Sequence, residues 1–195
     1  MNAPSLDLLS FPDFFDLGTC RELIGEMRLS PVSAAVTYSH DNSGRIDESV
    51  RKVSRVLPSQ ATVLSVVTRL IDCKQSIEEH FSIKLSDCEE PQFLCYRVGD
   101  FFVAHQDGNT GLLRLDSDRT RRISVSIFLN QESDVDVPYA YRGGSLVFFD
   151  WGLNRKVPVK AEAGTLLAFR SEVTHEVLPV TQGERYSIVT WYGSR

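Results

Sequence analysis

The apolar positions of the chain follow a helical spacing in its first half. Between Gln60 and Phe81, apolar residues recur mostly three or four positions apart, at Val63, Leu64, Val67, Leu70, Ile71, Ile77 and Phe81. This pattern predicts a long amphipathic helix that covers one face of a sheet. A shorter helix is predicted further upstream, because the segment Thr19–Glu22 matches a capping box ahead of Leu23, Ile24 and Met27.

The second half is patterned as short strands separated by glycine-containing turns. From Arg122 to Leu129, Ile, Val, Ile and Leu alternate with Ser, Ser and Phe, which is the period of a strand with two different faces. Similar runs are Gln92–Val98, Ser145–Phe149, Lys156–Lys160, Thr165–Phe169 and Tyr186–Tyr192. Six or seven such strands predict a β-sandwich or jelly roll, and the preceding helices make the fold class α+β.

Length and composition favour one globular domain. The 195 residues are 42% hydrophobic and 24% charged, which excludes a disordered or low-complexity chain. We expect a single domain over residues 1–195. Its helical N-terminal part is expected over about residues 1–90 and its strand-rich core over about residues 91–195.

Charge, hydropathy and cysteine content narrow the function classes. The formal net charge of −5 disfavours a nucleic-acid partner, because phosphate binding requires a basic surface. No apolar run reaches the roughly 18 residues of a membrane span, and the start of the chain does not look like a signal peptide. The four cysteines form no C-x-x-C pair. We therefore expect a cytoplasmic protein with free thiols and no membrane partner.

One set of potential metal ligands involves two of the four histidines. His105 and Asp107 are two positions apart, so that in a strand their side chains lie on the same face. With the distant His175 they make up two histidines and one carboxylate, the ligand set of non-haem Fe(II) oxygenases. That set leaves metal positions open for a keto acid and O₂. A zinc hydrolase with the same three ligands is the alternative that these residues leave open.

A cation suited to a carboxylate follows ten residues after His175. Arg185 directly precedes the last predicted strand, and a guanidinium within a sheet-rich core requires an anionic partner. Ser187 is two positions further along, on the same face. Arg185 and Ser187 are therefore candidates to bind the distal carboxylate of a dicarboxylic keto acid. A structural ion pair is the alternative for Arg185.

Short motifs follow one another between residues 91 and 192. They are Tyr96-x-x-Gly99-x-x-Phe102-x-x-His105-x-Asp107, Gly143-Gly144-x-Leu146, Gly164-x-Leu166-x-x-Phe169, His175-Glu176-Val177-x-Pro179-Val180, Gly183-x-Arg185-x-Ser187 and Trp191. In combination and spacing they resemble the iron(II)- and 2-oxoglutarate-dependent dioxygenases, specifically their prolyl 4-hydroxylase-like branch. This resemblance implies a double-stranded β-helix (jelly-roll) core over about residues 91–195, with the N-terminal helices packed on one sheet.

The resemblance also implies roles for individual residues. His105, Asp107 and His175 would bind Fe(II), and Arg185 would pair with the far carboxylate of 2-oxoglutarate. Tyr96 would bind the cosubstrate or line its pocket, next to Ser187. Trp191 matches a tryptophan near the substrate.

Two further positions bear on binding. Phe128 stands where some relatives have a second tyrosine that binds the cosubstrate, so that Ser124, Ser126 or Ser187 would have to supply the hydroxyl. Arg122, in a cluster with Arg114, Arg119 and Arg121, is a candidate to bind an acidic substrate or a peptide backbone. A solvated surface loop is the alternative interpretation of that cluster.

The implied activity couples oxidative decarboxylation of 2-oxoglutarate by O₂ to hydroxylation of an unactivated C–H bond, with succinate and CO₂ as products. Ascorbate dependence is implied in the same way. The favoured substrate is a prolyl residue in a peptide or protein. The alternatives are a free amino acid or small metabolite, or a catalytically silent jelly-roll binding module. Loops 28–56, 108–121 and 131–142 are expected to determine specificity.

Overall fold

The computed structural model describes residues 6–34, 37–38, 44–45, 47–108, 120–135, 137–160 and 162–194. Within these ranges there are two helices, α1 (Leu17–Leu29) and α2 (Gln60–Phe81), and 17 strands. The strands are β1 (Leu8–Phe11), β2 (Val32–Ala34), β3 (Thr37–Tyr38), β4 (Gly44–Arg45), β5 (Arg51–Lys52), β6 (Ser54–Val56), β7 (Leu85–Cys88), β8 (Gln92–Tyr96), β9 (Phe101–His105), β10 (Arg121–Phe128), β11 (Arg142–Gly143), β12 (Leu146–Asp150), β13 (Arg155–Val159), β14 (Leu166–Arg170), β15 (His175–Val177), β16 (Val180–Gln182) and β17 (Arg185–Ser194).

Two sheets form the body of the protein. The major sheet has eight strands in the order β1-β14-β10-β17-β8-β6-β2, with β7 paired to β17. The minor sheet has five strands in the order β13-β12-β15-β9-β5. A core cluster joins the facing sides of the two sheets through Leu94, Phe128, Leu146, Phe148, Phe169 and Val177, among others. The predicted jelly-roll architecture is thereby confirmed.

The alternation along β10 directs its two faces to different layers. Ile123, Val125 and Ile127 pack in a cluster that includes Ile24, Met27, Leu70 and Ile77 of the two helices. The intervening residues face the minor sheet, where Phe128 belongs to the core between the sheets. This arrangement confirms that the N-terminal helices pack on one sheet, and it leaves the small side chain of Ser126 at the inner face of the barrel.

The two helices differ in how well the sequence predicts their starts. The helix predicted over Gln60–Phe81 is confirmed as α2, and the Thr62 amide donates to the Ser59 side chain at its start. The capping box at Thr19 is wrong. The N-cap is Asp16, three residues earlier, and α1 begins at Leu17, because the Asp16 carboxylate accepts a hydrogen bond of 2.8 Å from the Thr19 amide.

The N-terminal part contains strands as well as helices, which corrects the expectation of a helical segment over about residues 1–90. Strand β1 pairs with β14 in antiparallel register, with Leu9 opposite Ala168. Strand β6 pairs with β8. Strands β1, β5 and β6 contain only two to four residues each, which is too short for a period-two pattern to be recognised.

As far as the described ranges extend, neither α1 nor α2 has the apolar length that a membrane crossing needs.

A glycine at a close backbone approach ties the N-terminal segment to the sheet. Gly164 has a φ of +86°, and a Cβ there would collide with the Phe15 carbonyl oxygen. Its amide donates to the Phe128 carbonyl at 2.7 Å, and its own carbonyl accepts from the Phe15 amide at 3.0 Å. The position therefore requires both a left-handed conformation and the absence of a side chain.

We predict that Gly164→Ala lowers the free energy of unfolding by about 1–3 kcal/mol, the usual cost of a strained backbone position. Gly25→Ala is the matched control, because a Cβ added to this helical glycine would meet no atom within 4 Å. That control is expected to raise stability by about 0.5–1 kcal/mol. Urea unfolding of both variants provides the measurement, and equal stability of the two would contradict the prediction.

Candidate active site

A cavity of about 260 Å³ lies between the two sheets. Both sheets contribute to its wall, which includes all three predicted metal ligands. Other sequence-predicted residues in the wall are Tyr96, Ser126, Arg185, Ser187 and Trp191. The sequence-predicted site residues therefore converge here, with three exceptions described below.

The three candidate ligands meet at the ends of two neighbouring strands of the minor sheet. His105 is the last residue of β9, His175 is the first residue of β15, and the two are paired across neighbouring strands. Asp107 lies between them, with carboxylate oxygens 3.5 Å from Nε2 of His105 and 3.5 Å from Nε2 of His175. One ligand atom from each residue lies within 4.8 Å of the others.

A loop, and not the pleat of a strand, positions Asp107. The sequence interpretation places His105 and Asp107 on one face of a strand, but β9 ends at His105. The Asp107 amide donates to the Ser171 carbonyl at 2.9 Å. The Gln106 side chain donates to the Glu172 carbonyl at 2.7 Å and to Thr174 Oγ1 at 3.3 Å. These bonds hold the loop against the segment that precedes His175, and Gln106 is a supporting residue that the sequence analysis missed.

Each imidazole is oriented by the backbone carbonyl of the residue two positions before it. Nδ1 of His105 lies 2.9 Å from the Val103 carbonyl, and Nδ1 of His175 lies 3.0 Å from the Val173 carbonyl. Since a carbonyl only accepts, Nδ1 carries the proton and Nε2 presents its lone pair to the site. The Phe102 ring stacks on His105 with 3.6 Å between ring centroids. Both rings are therefore fixed in the tautomer that a metal ligand requires.

The surroundings of the ligands determine their charge. Burial and the adjacent His105 lower the pKa of His175 to about 4, so that its imidazole is neutral near pH 7. Burial alone would raise the pKa of Asp107. The neighbouring His175, His105 and Trp191 side chains nevertheless hold that pKa below its usual range. A neutral imidazole and an anionic carboxylate are the forms that bind a divalent cation.

The donor set fits Fe(II). Two imidazole nitrogens from neighbouring strands of the minor sheet and one carboxylate from the loop after β9 form the two-histidine, one-carboxylate arrangement. All three ligand residues line the cavity, so that a metal held by them would adjoin it. The same residues could also hold zinc, but the next feature distinguishes the two cases.

A buried guanidinium lies in the same cavity. Arg185 opens β17, is 2% exposed, and packs its cation over the rings of Tyr96 and Phe128 at 5.0 and 5.3 Å. Nη1 donates to the Ser187 hydroxyl at 3.0 Å. Nε has no hydrogen-bond partner among the described residues. A buried cation with neutral neighbours requires an anion, and a keto-acid carboxylate would meet this requirement.

The wall around Arg185 leaves room for its side chain. Gly144 has a φ of +67°, and a Cβ there would approach Cδ of Arg185 at 3.3 Å and Val180 at 2.8 Å. Tyr141 is buried nearby, and while burial raises the pKa of its phenol, the charge of the adjacent Arg185 opposes that rise. The sequence analysis missed Tyr141, because a single tyrosine in a turn-rich segment gives no periodic signal.

Three predicted residues lie elsewhere. Phe128 packs against Arg185 without lining the cavity, and Ser124 instead donates to the Ser171 hydroxyl at 3.0 Å. Arg122 lies outside the cavity wall, with Nη1 donating to the Arg121 carbonyl at 3.2 Å. The arginine of this segment that reaches the cavity is Arg121. The pairing of β10 with β17 shifts register between Arg121 and Ile123, which interrupts the alternation that places Ser126 on the inner face.

The predicted specificity loops contribute unequally. Val50 and Arg51 from loop 28–56 line the cavity. Of loop 108–121, residues 109–119 lie outside the described residues, as do Arg114 and Arg119 of the arginine cluster. Described residues of loop 131–142, among them Tyr139 and Tyr141, line a separate cavity of about 540 Å³. Their role in specificity stays a prediction.

Comparison with known proteins identifies relatives along most of the chain. The family model of the 2OG-Fe(II) oxygenase superfamily matches residues 91–193. A PKHD-type hydroxylase of Burkholderia ambifaria is 30% identical over 181 residues, which cover 90% of this chain and 71% of that protein. A PKHD-type hydroxylase of Burkholderia thailandensis is 36% identical over 106 residues, or 53% of this chain and 43% of the relative. Against this second relative the match spans less than half of its length.

A solved structure agrees with the sequence relatives. The crystal structure of a Pseudomonas putida prolyl-4-hydroxylase superposes with a TM-score of 0.73 at 25% identity, covering 97% of this chain and 94% of that chain. The region matched by the family model, residues 91–193, contains the ligand triad, four of the eight strands of the major sheet and four of the five strands of the minor sheet. The chain belongs to the 2OG-Fe(II) oxygenase superfamily, and it is a dioxygenase that uses Fe(II), 2-oxoglutarate and O₂.

Proposed function

We propose that this protein hydroxylates prolyl residues in a peptide or protein substrate. The observation that carries the proposal is that one cavity of about 260 Å³ contains both the His105–Asp107–His175 triad and the buried Arg185. A zinc hydrolase would not require a buried arginine such as Arg185 beside the triad. A binding module without catalysis has no need of neutral, oriented imidazoles.

Individual residues divide the work. Bound Fe(II), together with 2-oxoglutarate and O₂, supplies the oxidising chemistry that an unactivated C–H bond requires. His105, Asp107 and His175 would hold the metal. Arg185 binds the far carboxylate of 2-oxoglutarate, with the Ser187 hydroxyl at 3.0 Å fixing its guanidinium. Tyr96 closes the wall beside Arg185.

The apolar residues of the cavity wall suit an aliphatic substrate group. Val50, Val189 and Trp191 line it together with the ligands, and apolar walls with a few directed polar groups are typical of small-substrate sites. The pyrrolidine ring of proline is such a group. The Pseudomonas putida prolyl-4-hydroxylase, which matches along 97% of this chain, supports the same substrate class.

Oxidation of peptides tests the proposal. Purified protein with Fe(II), 2-oxoglutarate and O₂ is offered proline-containing peptides, the same peptides with alanine in place of proline, and free L-proline. We expect succinate formation and the gain of one oxygen atom only with the proline-containing peptides. Ascorbate dependence, which stays a prediction, is checked by omitting ascorbate from the same assay.

The other outcomes point to the alternatives. Oxidation of free proline but not of peptides would replace the peptide substrate with a small metabolite. Binding of Fe(II) and 2-oxoglutarate without succinate from any substrate would favour a catalytically silent binding module. Tight Zn²⁺ binding without any 2-oxoglutarate binding would contradict the enzyme class.

A further inference from the structure

A bidentate ion pair lies at the rim of the cavity, outside the ligand triad. Glu89 follows β7, and its two carboxylate oxygens accept from Nε and Nη2 of Arg121 at 2.5 and 2.6 Å. The Arg121 side chain is 14% exposed. Two parallel hydrogen bonds fix the plane of a guanidinium as well as its position. Glu89 is therefore one of the groups that orient the Arg121 guanidinium.

That plane lies on the indole of Trp191. Cζ of Arg121 is 3.9 Å from the centroid of the Trp191 ring. Nη1 of Arg121 also donates to the Asp107 carbonyl at 3.4 Å. A stacked guanidinium restricts the tilt of the ring beneath it. Arg121 thus touches both Trp191 and the backbone of a candidate metal ligand.

Trp191 in turn contacts the ligand side chain. Its side chain is 7% exposed and lines the cavity together with Asp107. The indole N–H only donates, and its proximity to the Asp107 carboxylate is one of the causes that lower the pKa of that carboxyl. The contacts therefore form one chain from Glu89 through Arg121 and Trp191 to the carboxylate.

We infer that Glu89 is a positioning residue for the metal, acting through Arg121 and Trp191 on the orientation of the Asp107 carboxylate. The inference rests on the proposed role of the triad as the Fe(II) site. Groups that orient a metal ligand are as much a part of the site as the ligand. Without the Glu89 carboxylate, Arg121 keeps its charge but loses the two hydrogen bonds that help to hold it over Trp191.

The backbone hydrogen bonds of Glu89 do not involve its side chain, so a substitution there tests the side chain alone. The Glu89 amide donates to the Trp191 carbonyl at 2.8 Å, and the Thr190 hydroxyl donates to the Glu89 carbonyl at 2.6 Å. Substitution of the side chain leaves both bonds in place. The next residue, Glu90, is a matched control, because its side chain is 72% exposed and pairs only loosely with Arg55 at 3.4 Å.

We expect Glu89→Gln to raise the Kd for Fe(II) by about 10-fold under anaerobic conditions, as changes behind a metal ligand commonly do. Glu89→Ala is expected to have a larger effect, and Glu90→Gln none. The bands of bound Co(II) in the visible spectrum are expected to shift in Glu89→Gln but not in Glu90→Gln. Unfolding of the three metal-free proteins by urea is expected to differ little.

A second readout reports on Trp191 directly. The chain has two tryptophans, and the other one, Trp151, is 61% exposed. In a Trp151→Phe background, the fluorescence of Trp191 is therefore seen alone. Glu89→Gln is expected to change its emission maximum and quantum yield, and Glu90→Gln to leave both unchanged.

Unchanged Fe(II) affinity and unchanged Trp191 emission in Glu89→Gln would overturn the inference while the proposed function stands. Equal losses in Glu89→Gln and Glu90→Gln would also overturn it, since they would indicate a general charge effect. Failure of the unsubstituted protein to bind Fe(II) would overturn the proposed function and this inference together.

Discussion

His175→Ala is expected to abolish Fe(II) binding and turnover. His175 supplies one of the three candidate ligand atoms, and its Nε2 lies 3.5 Å from the Asp107 carboxylate. The variant would leave a two-ligand site with an open wall. We expect a loss of metal affinity of more than about 100-fold, above the range seen when only the groups behind a ligand are changed.

An anaerobic titration measures this loss. Fe(II) and 2-oxoglutarate are added to the purified protein, and the visible absorbance is followed for a metal-to-ligand charge-transfer band. His80→Ala is the control, because His80 pairs with Asp7 on the surface at 2.8 Å. We expect the band in the control and no band in His175→Ala. A band of full intensity in folded His175→Ala would remove this residue from the metal site.

Arg185→Ala is expected to weaken the binding of 2-oxoglutarate by about 1.5–3 kcal/mol, the usual contribution of a hydrogen bond to a charged group. This corresponds to a Kd about 10 to 150 times higher. Arg185 is 2% exposed, so its charge acts inside the cavity with little screening by water. Fe(II) affinity in the absence of 2-oxoglutarate is expected to stay close to that of the unsubstituted protein, because Arg185 is not a ligand.

The control for Arg185 is a nearby arginine outside the cavity. Arg97 is 53% exposed and forms a 3.4 Å ion pair with Glu184 on the protein surface. Titration of 2-oxoglutarate into the Fe(II)-loaded proteins is expected to show normal affinity in Arg97→Ala and reduced affinity in Arg185→Ala. Equal affinity in both variants would show that Arg185 has a structural role only.

Patterns with a period or a fixed spacing can be predicted from the sequence. The predicted bounds of helix α2 match the observed ones because its apolar residues repeat over 22 residues. The alternation in β10 predicts a strand with two different faces, and the structure shows one packed on helices and one turned to the cavity. The ligand triad can be recognised because each ligand type stands in a motif of characteristic spacing.

Contacts between residues far apart in the chain leave no such pattern. Glu89 and Arg121 are separated by 32 positions, and nothing in their local sequence indicates a bidentate pair. The alternation of β10 places Arg122 on the same face as Ser126, and only the register shift between Arg121 and Ile123 brings Arg121 to the cavity instead. The start of α1 is missed because Asp16 and Thr19 are both good capping residues, and only the backbone geometry decides between them.

The support that each imidazole receives from a peptide carbonyl has a consequence for how this protein can evolve. A carbonyl is present whatever side chain its residue carries, so positions 103 and 173 can drift in sequence without disturbing the ring that depends on them. Val103 is 38% exposed, so the part of its side chain that faces solvent can change without affecting the imidazole of His105. The orientation of both histidines is thereby protected against most point mutations in their own supporting residues, proline and insertions excepted.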